Sequence, residues 1–378
     1  MSLDDHAAFG VTCPVWMPPE AGLAAPLRSG IVAAMLRSLL CAATLATAWW
    51  LPASAGRLVT DSAGRQVEVP DRVERVIAAG PPASALMTML APEKLIGWNR
   101  KPPPEELPYL PSIVRNLPEI GRLTGRGNTA NLEVVMAAKP DVIVDFGSVS
   151  DTYVSLAGRV QSQTGIPYLL VDGHFSRTVA ALRLLGEAFG VGERAEQLVG
   201  RVNDILQETD RAAASVAPEA RPRVYLARGS RGLETGNRGS INTEIIERVG
   251  AINVVDGGMP QGGLYNVSLE QVVGWNPDTI VTIDPTVAEL IRSDPAWSHI
   301  EAVRRGRIFL SPKLPYGWID GPPSVNRLIG LAWLSRLLFP DRYSDDIGDV
   351  ARAFYRQFYQ VELRDPELGQ LLQGARPR

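Results

Sequence analysis

Between Glu193 and Ser215 the chain reads ERAEQLVGRVNDILQETDRAAAS, with apolar or small residues at Ala195, Leu198, Val199, Val202, Ile205, Leu206, Thr209, Ala212 and Ala213. Steps of three and four over such a run place one narrow apolar stripe on a helix of about 23 residues, roughly 34 Å long. Glu193 and Glu196 fall in its first turn and Arg211 near its last, as the helix dipole favours, and Pro218 and Pro222 prevent its continuation.

On the N-terminal side of this stretch, short apolar runs alternate with helical ones. Gly56 to Val69 has the character of a β-hairpin turning at Asp61 to Gly64; Arg75 to Ala79 and Lys94 to Trp98 read as strands around a helix from Ala83 to Leu90. Pro102 to Pro104, Pro108 and Pro111 then mark a loop. A helix from Leu132 leads through Lys139-Pro140-Asp141 into a strand at Val142, and a helix from Tyr153 to Thr164 leads into a strand that closes at Asp172-Gly173-His174. The same grammar resumes after the long helix, with strands at Arg223 to Ala227, Asn253 to Val255, Thr279 to Ile283 and Arg307 to Leu310, and helices at Asn242 to Val249 and Ser268 to Trp275. Strand alternating with helix at this spacing predicts an α/β fold of doubly wound, Rossmann-like parallel sheets.

The two halves also match each other. NLEVVMAAKPDVIVDFG from position 131 aligns without a gap on SLEQVVGWNPDTIVTID from position 268. Leu132 pairs with Leu269, Glu133 with Glu270, Val135 with Val272, Pro140 with Pro277 and Asp141 with Asp278. The expected organisation is an N-terminal lobe over 56–175, a helical segment over 176–216 that contains the linking helix 193–215, and a C-terminal lobe with terminal helices over 217–378. A chain of 378 residues fits two such lobes.

The first 55 residues stand apart. MLRSLLCAATLATAWWLPASAG, from Met35, carries Arg37, an apolar run to Leu51 and a small-residue cleavage site at Ala53-Ser54-Ala55, the pattern of a secretory signal peptide over about 35–55. Residues 1–34 read as an upstream extension. Cys13 and Cys41 are the only cysteines, so the segment after the cleavage site offers no disulfide and no thiolate metal ligand, and the bacterial periplasm is the expected compartment. A net charge of -3, with 21% charged residues, gives no basic surface for nucleic acid. Lys94, Lys101, Lys139 and Lys313 are the only lysines; the remaining basic residues are arginine, the side chain suited to bidentate oxyanion binding.

In its ordered motifs the chain resembles the class III periplasmic binding proteins of ABC importers, which capture iron-siderophore complexes, haem and cobalamin. The resemblance spans about 57 to 340 and is carried by VERVIAAGPP (73–82), the two paired segments above, ERVGAINVV (247–255) and DPAWSHIEAVRRGRIFLSP (294–312). It implies that the long helix is a stiff hinge, that ligand sits between the lobes, and that one acidic residue on each lobe, here Glu133 and Glu270, meets arginines of the permease. The partners expected are therefore a permease with its cytoplasmic ATPase and a small-molecule ligand, with the protein itself a monomer.

Ligands of doubly wound sheets lie at the carboxyl ends of the strands. Loops there contribute Trp98, Tyr265, Tyr316 and Trp318 as flat apolar surface and Arg100, Arg228 and Arg231 as anion donors, with Arg122 and Arg126 in the nearby GRLTGRGN loop. Aromatic and arginine side chains around one cleft suit a bulky anionic chelate; the resemblance implies a ferric siderophore as the first expectation, with cobalamin, haem or a molybdate-type oxyanion as alternatives. Direct metal binding is a further alternative, built on His174 and Asp172 with Asp145 and Asp284. No nucleophile elbow, phosphate loop or His-Glu-x-x-His helix is present, so no catalysis and no intrinsic cofactor are expected.

Overall fold

The computed structural model describes residues 56–125, 129–255 and 263–375. The segment 35–55 read as a signal peptide, the extension before it and Arg126 lie outside the described residues. Strands β1 (Gly56–Thr60) and β2 (Gln66–Pro70) form the expected antiparallel hairpin, Val67 and Val69 turned inward and Gln66 and Glu68 outward. Strand β3 (Val76–Ala78) precedes helix α1 (Pro81–Leu90), whose first two positions are prolines, tolerated where the N–H groups have no intrahelical partner. Lys94 to Trp98 does not form the predicted strand. Leu95 and Trp98 each make one isolated bridge, to Val76 and Glu119, because the chain turns at Gly97 against Pro118 and Ile120.

Helix α2 (Leu132–Ala137), strand β4 (Val142–Gly147), helix α3 (Asp151–Thr164) and strand β5 (Tyr168–Asp172) complete the first half. Its parallel sheet runs β3-β4-β5. Successive residues of a strand face opposite sides, and β4 serves a core on each: Val142 and Val144 pack on one side, Ile143 on the other.

Helices α4 (Thr178–Phe189) and α5 (Gly192–Ala214) follow. The long helix begins one residue earlier than predicted, and it buries Ala195, Leu198, Val199, Val202 and Thr209 of the expected stripe. It lies so close to α4 that a Cβ on Gly186 would sit 2.4 Å from Ala195 Cβ.

The second half contains β6 (Arg223–Ala227), β7 (Glu234–Thr235), α6 (Glu244–Arg248), β8 (Ile252–Asn253), β9 (Tyr265–Asn266), α7 (Leu269–Trp275), β10 (Thr279–Thr282), α8 (Pro285–Ser293), α9 (Glu301–Arg304) and β11 (Ile308–Leu310). Its parallel sheet runs β11-β10-β6-β8, while β7 and β9 pair separately. The fold is α/β with two parallel sheets, as the alternating pattern predicts.

The internal repeat is a structural device. In the first half the Asp141 N–H donates to the Arg75 carbonyl at 2.8 Å, Asp141 Oδ2 accepts from the Arg75 N–H at 2.8 Å, and Arg75 Nη2 donates to the Ala138 carbonyl at 2.7 Å. In the second, Asp278 and Arg223 exchange the same two bonds at 3.0 and 2.9 Å, and Arg223 Nη2 donates to the Trp275 carbonyl at 2.8 Å. Lys139 and Asn276, at equivalent positions, both take positive φ, 48° and 43°. Each Pro-Asp step therefore clamps its preceding helix to a neighbouring strand in the same way.

Helices α10 (Arg327–Leu338), α11 (Ile347–Phe354) and α12 (Asp365–Leu371) end the chain. They follow the second sheet in sequence but pack toward the first half. The Tyr109 hydroxyl donates to the Glu367 carbonyl at 2.8 Å, and Arg194 Nη2 on α5 donates to both Met89 and Gln357 carbonyls. A boundary at 217 thus separates the two sheets and not the cores, since one apolar cluster joins Leu86, Leu198, Trp333 and Phe358. Among the described residues no helix is long and apolar enough to cross a membrane.

Candidate functional site

Arg228 directly follows β6, which places a guanidinium at the carboxyl edge of the second sheet. Its backbone exchanges hydrogen bonds with Glu234, and its side chain, 15% exposed, holds Nη1 3.1 Å from Asp320 Oδ2 and 3.7 Å from Glu234 Oε1. Asp320 is fully buried and its oxygens accept from Asn242 Nδ2 at 3.2 and 3.1 Å and from the Gly321 N–H at 2.6 Å. Its carboxylate is thereby satisfied and pins the Leu314 to Pro323 loop against β6 and α6. Arg228 Nε and Nη1 have no hydrogen-bond partner of acceptable geometry among the described residues.

Facing this edge is the end of β5. Arg327, 1% exposed at the start of α10, donates to the Gly173 carbonyl at 2.8 Å, to Glu244 Oε1 at 2.9 Å and to the Ile241 carbonyl, and its Cζ lies 4.3 Å from the Phe175 ring centroid. The Phe175 N–H donates to the same Glu244 oxygen at 3.2 Å. Two further contacts join the halves: the Ser324 hydroxyl donates to the Pro82 carbonyl at 2.7 Å, and the Tyr316 and Thr88 hydroxyls lie 3.3 Å apart. Gly173 and Ile241 approach closely enough that a Cβ on the glycine would sit 3.0 Å from Ile241 Cδ1. The carboxyl ends of the two sheets are in contact here, and the space between them is narrow.

Two of the four aromatic residues expected to line the cleft are core residues. Trp318 is 1% exposed, donates through Nε1 to the Tyr355 hydroxyl at 3.2 Å, and has its carbonyl against Gly330, where a Cβ would collide. Trp98 is 3% exposed and donates through Nε1 to the Val114 carbonyl at 2.9 Å. An indole sealed by its neighbours with its N–H satisfied offers no face to a ligand. Tyr316 is half-buried and stacks on Tyr359 at 6.3 Å between centroids; burial pushes its phenol up. Tyr265 is half-buried in β9. Arg100 is exposed and pairs with both oxygens of Glu106 at 2.9 and 3.2 Å, and Arg231 is exposed on the turn after Arg228.

The metal alternative is not assembled. His174 Nδ1 lies 2.6 Å from Asp172 Oδ1, a hydrogen bond that raises the imidazole pKa, with Glu244 adding to the effect. Asp145 faces a different set of partners, the Thr124 and Tyr168 hydroxyls, both at 3.1 Å, and burial pushes its pKa up to about 6. Asp284 caps α8 from the other half through the Thr286 N–H. Among the described residues no group of three or more His, Cys, Asp or Glu is arranged to hold a metal ion.

Glu133 and Glu270 are both exposed in the first turns of α2 and α7. Asn131 accepts from the Glu133 N–H, while Ser268 and Gln271 form a capping box that fixes the start of α7. Its own backbone N–H and Ser268 hold the Glu270 carboxyl below the usual range. Each helix runs into the strand that follows it, so its N-terminus lies toward that strand's carboxyl end, the edge where the cleft opens.

Sequence reasoning missed Arg327, Glu244 and Asn242. One signal was present: RLIGLAWLSRLL is apolar on every side, and a charge opening a helix of that kind is destined for burial beside a partner.

The periplasmic binding protein family matches residues 112–314. The molybdate-binding protein MolA of Haemophilus influenzae is 26% identical over 357 residues, 87% of this chain and 98% of that protein. A vitamin B12-binding protein of Salmonella typhi is 28% identical over 173 residues, 45% of this chain and 61% of that one. Among solved structures, an ABC transporter solute-binding protein from Sulfurospirillum deleyianum superposes with a TM-score of 0.75 at 29% identity, covering 84% of this chain and 99% of that one. MolA bound to molybdate superposes with a TM-score of 0.69 at 24% identity, covering 82% and 99%. The chain belongs to the periplasmic binding protein family, as a class III substrate-binding protein of an ABC importer and not an enzyme.

Proposed function

We propose that this protein captures a small tetrahedral oxyanion of the molybdate class and delivers it to a membrane permease. The observation that carries the reading is the contrast at the cleft: Trp98 and Trp318 are closed into the core, whereas Arg228, ion-paired with Asp320 through Nη1, keeps Nε without a hydrogen bond just after β6. A bulky chelate needs aromatic area, and a small oxyanion needs a few convergent donors with positive charge. The MolA likeness over nearly the whole of both chains supports the same class. The signal-peptide pattern over 35–55 supports delivery from the periplasm, and the exposure of Glu133 and Glu270 in equivalent helix starts supports their docking of the binding protein, as a monomer, on a permease served by its ATPase.

The ferric siderophore expected from sequence is the second reading, supported by the half-buried Tyr265 and Tyr316. Calorimetric titration of the purified protein with molybdate, tungstate, sulfate, a ferric hydroxamate and cobalamin separates the two. Saturable binding of molybdate or tungstate, lost in Arg228→Met, is the expected result; binding of the ferric hydroxamate alone, with no heat from any oxyanion, would replace it with the second reading.

A further inference from the structure

Large apolar side chains are well exposed at five described positions, Leu58, Ile113, Val134, Met136 and Val273. Three of the five lie on α2 and α7, the two helices that the repeat pairs. Met136 (42% exposed) and Val273 (37%) occupy the same repeat position, three residues after Glu133 and Glu270 respectively. Residues three and four apart share a helix face, so each helix presents a carboxylate, then an apolar side chain, then a small residue, Ala137 or Gly274. Both small residues are exposed, and a Cβ on Gly274 would meet nothing within 4 Å.

Chance scatter of exposed apolar residues would not respect a repeat. Nor is there slack in how the faces are held, since the Arg75–Asp141 and Arg223–Asp278 clamps fix each helix to its sheet by the same bonds. The same chemistry shown twice fits a partner that offers two equivalent faces, each with a basic group beside an apolar patch.

We propose that Met136 and Val273 are the affinity-determining contacts of this double face, supplying apolar area to a twofold-repeated permease surface, while Glu133 and Glu270 orient the encounter. The inference rests on the permease-docking reading above and adds a division of labour to it. Charge acts at range and sets association; apolar area acts only on contact and sets dissociation. Val134, at 44% exposed, widens the patch on the first helix alone.

The test is binding of the full-length mature protein to its own importer's permease and ATPase in lipid nanodiscs, with thermal melting as the control for folding. Met136→Ser with Val273→Ser should weaken binding on the order of tenfold through faster dissociation, with the salt dependence of association unchanged. Glu133→Lys with Glu270→Lys should slow association and abolish its salt dependence. Ala137→Trp with Gly274→Trp, which adds bulk where space is open, should block docking without lowering the melting temperature. Wild-type binding by the Met136/Val273 and tryptophan variants, with the glutamate variant defective, would overturn the division of labour and leave docking standing. Wild-type binding by all three pairs would overturn both.

Discussion

Arg327 Nη2 donates to the carbonyl of Gly173 at 2.8 Å, across 154 residues of chain and from the helix that follows the second sheet to the loop that ends the first. The same guanidinium pairs with Glu244 and covers Phe175, so one buried cation ties the two halves at the floor of the cleft.

Arg327→Met should leave the Glu244 carboxylate without its cation, with only the Phe175 N–H still donating to it, and removal of one member of a buried pair costs about 3–5 kcal/mol. Urea denaturation should show that loss, with partial recovery when Glu244→Gln is added, because the orphaned charge is then gone. Equal stability of the single and double variants would rule out the ion pair as the cause.

Trp318 and Arg228 should separate in ligand binding. Trp318→Ala removes a large core side chain held by Tyr355, and about 3–5 kcal/mol of stability should go with it while the folded protein binds ligand as before. Arg228→Met should abolish oxyanion binding in calorimetry, and because it also leaves the buried Asp320 carboxylate without its cation, the melting temperature should fall as well while the folded variant shows no heat of binding. A Trp318→Ala protein of normal stability with lost affinity would return that residue to the cleft.

Asp145 gives the protein a pH dependence of known sign. Burial raises its pKa to about 6 in the folded state, against an ordinary carboxylate value of about 3.9 when unfolded. Between those values the folded state binds more protons than the unfolded one, so stability falls as pH rises from about 4 to 6, by up to about 3 kcal/mol. Asp145→Asn keeps a polar group beside Thr124 and Tyr168 without the charge. It should stabilise the protein at pH 7 and have little effect at pH 4, as read from denaturation at a series of pH values. A difference from wild type that stays constant across the series would exclude ionisation of Asp145.

Charge reversal at Glu133 and Glu270 together should abolish uptake in cells while the purified variant retains full ligand affinity, since both residues are exposed and outside the cleft floor. Loss of affinity would remove them from docking and place them in ligand binding.

Local pattern was enough for much of this molecule. The stripe from Ala195 to Thr209 predicted α5 to within one residue, because a 3.6-residue period held over about four turns has no competing solution. The match of Glu133 to Glu270 and of Asp141 to Asp278 predicted two lobes built alike, and the clamps at Arg75 and Arg223 are the physical content of that likeness. Lys94 to Trp98 was the weaker kind of inference, a short apolar run whose pairing depended on where Pro118 and Ile120 came to lie.

The alternation of strand and helix, the long helix, the repeat and the family likeness are properties of neighbours in the chain, and the sequence by itself determined them. Whether an indole in a loop faces solvent or core, and which carboxylates an arginine meets, was decided only by the tertiary structure. Trp318 is buried because Tyr355 and Gly330 close around it, and Arg327 is fixed because Gly173 and Glu244 meet it from opposite halves. Those partners come from distant segments, and the direction of a side chain is set by what packs against it and not by the residues on either side.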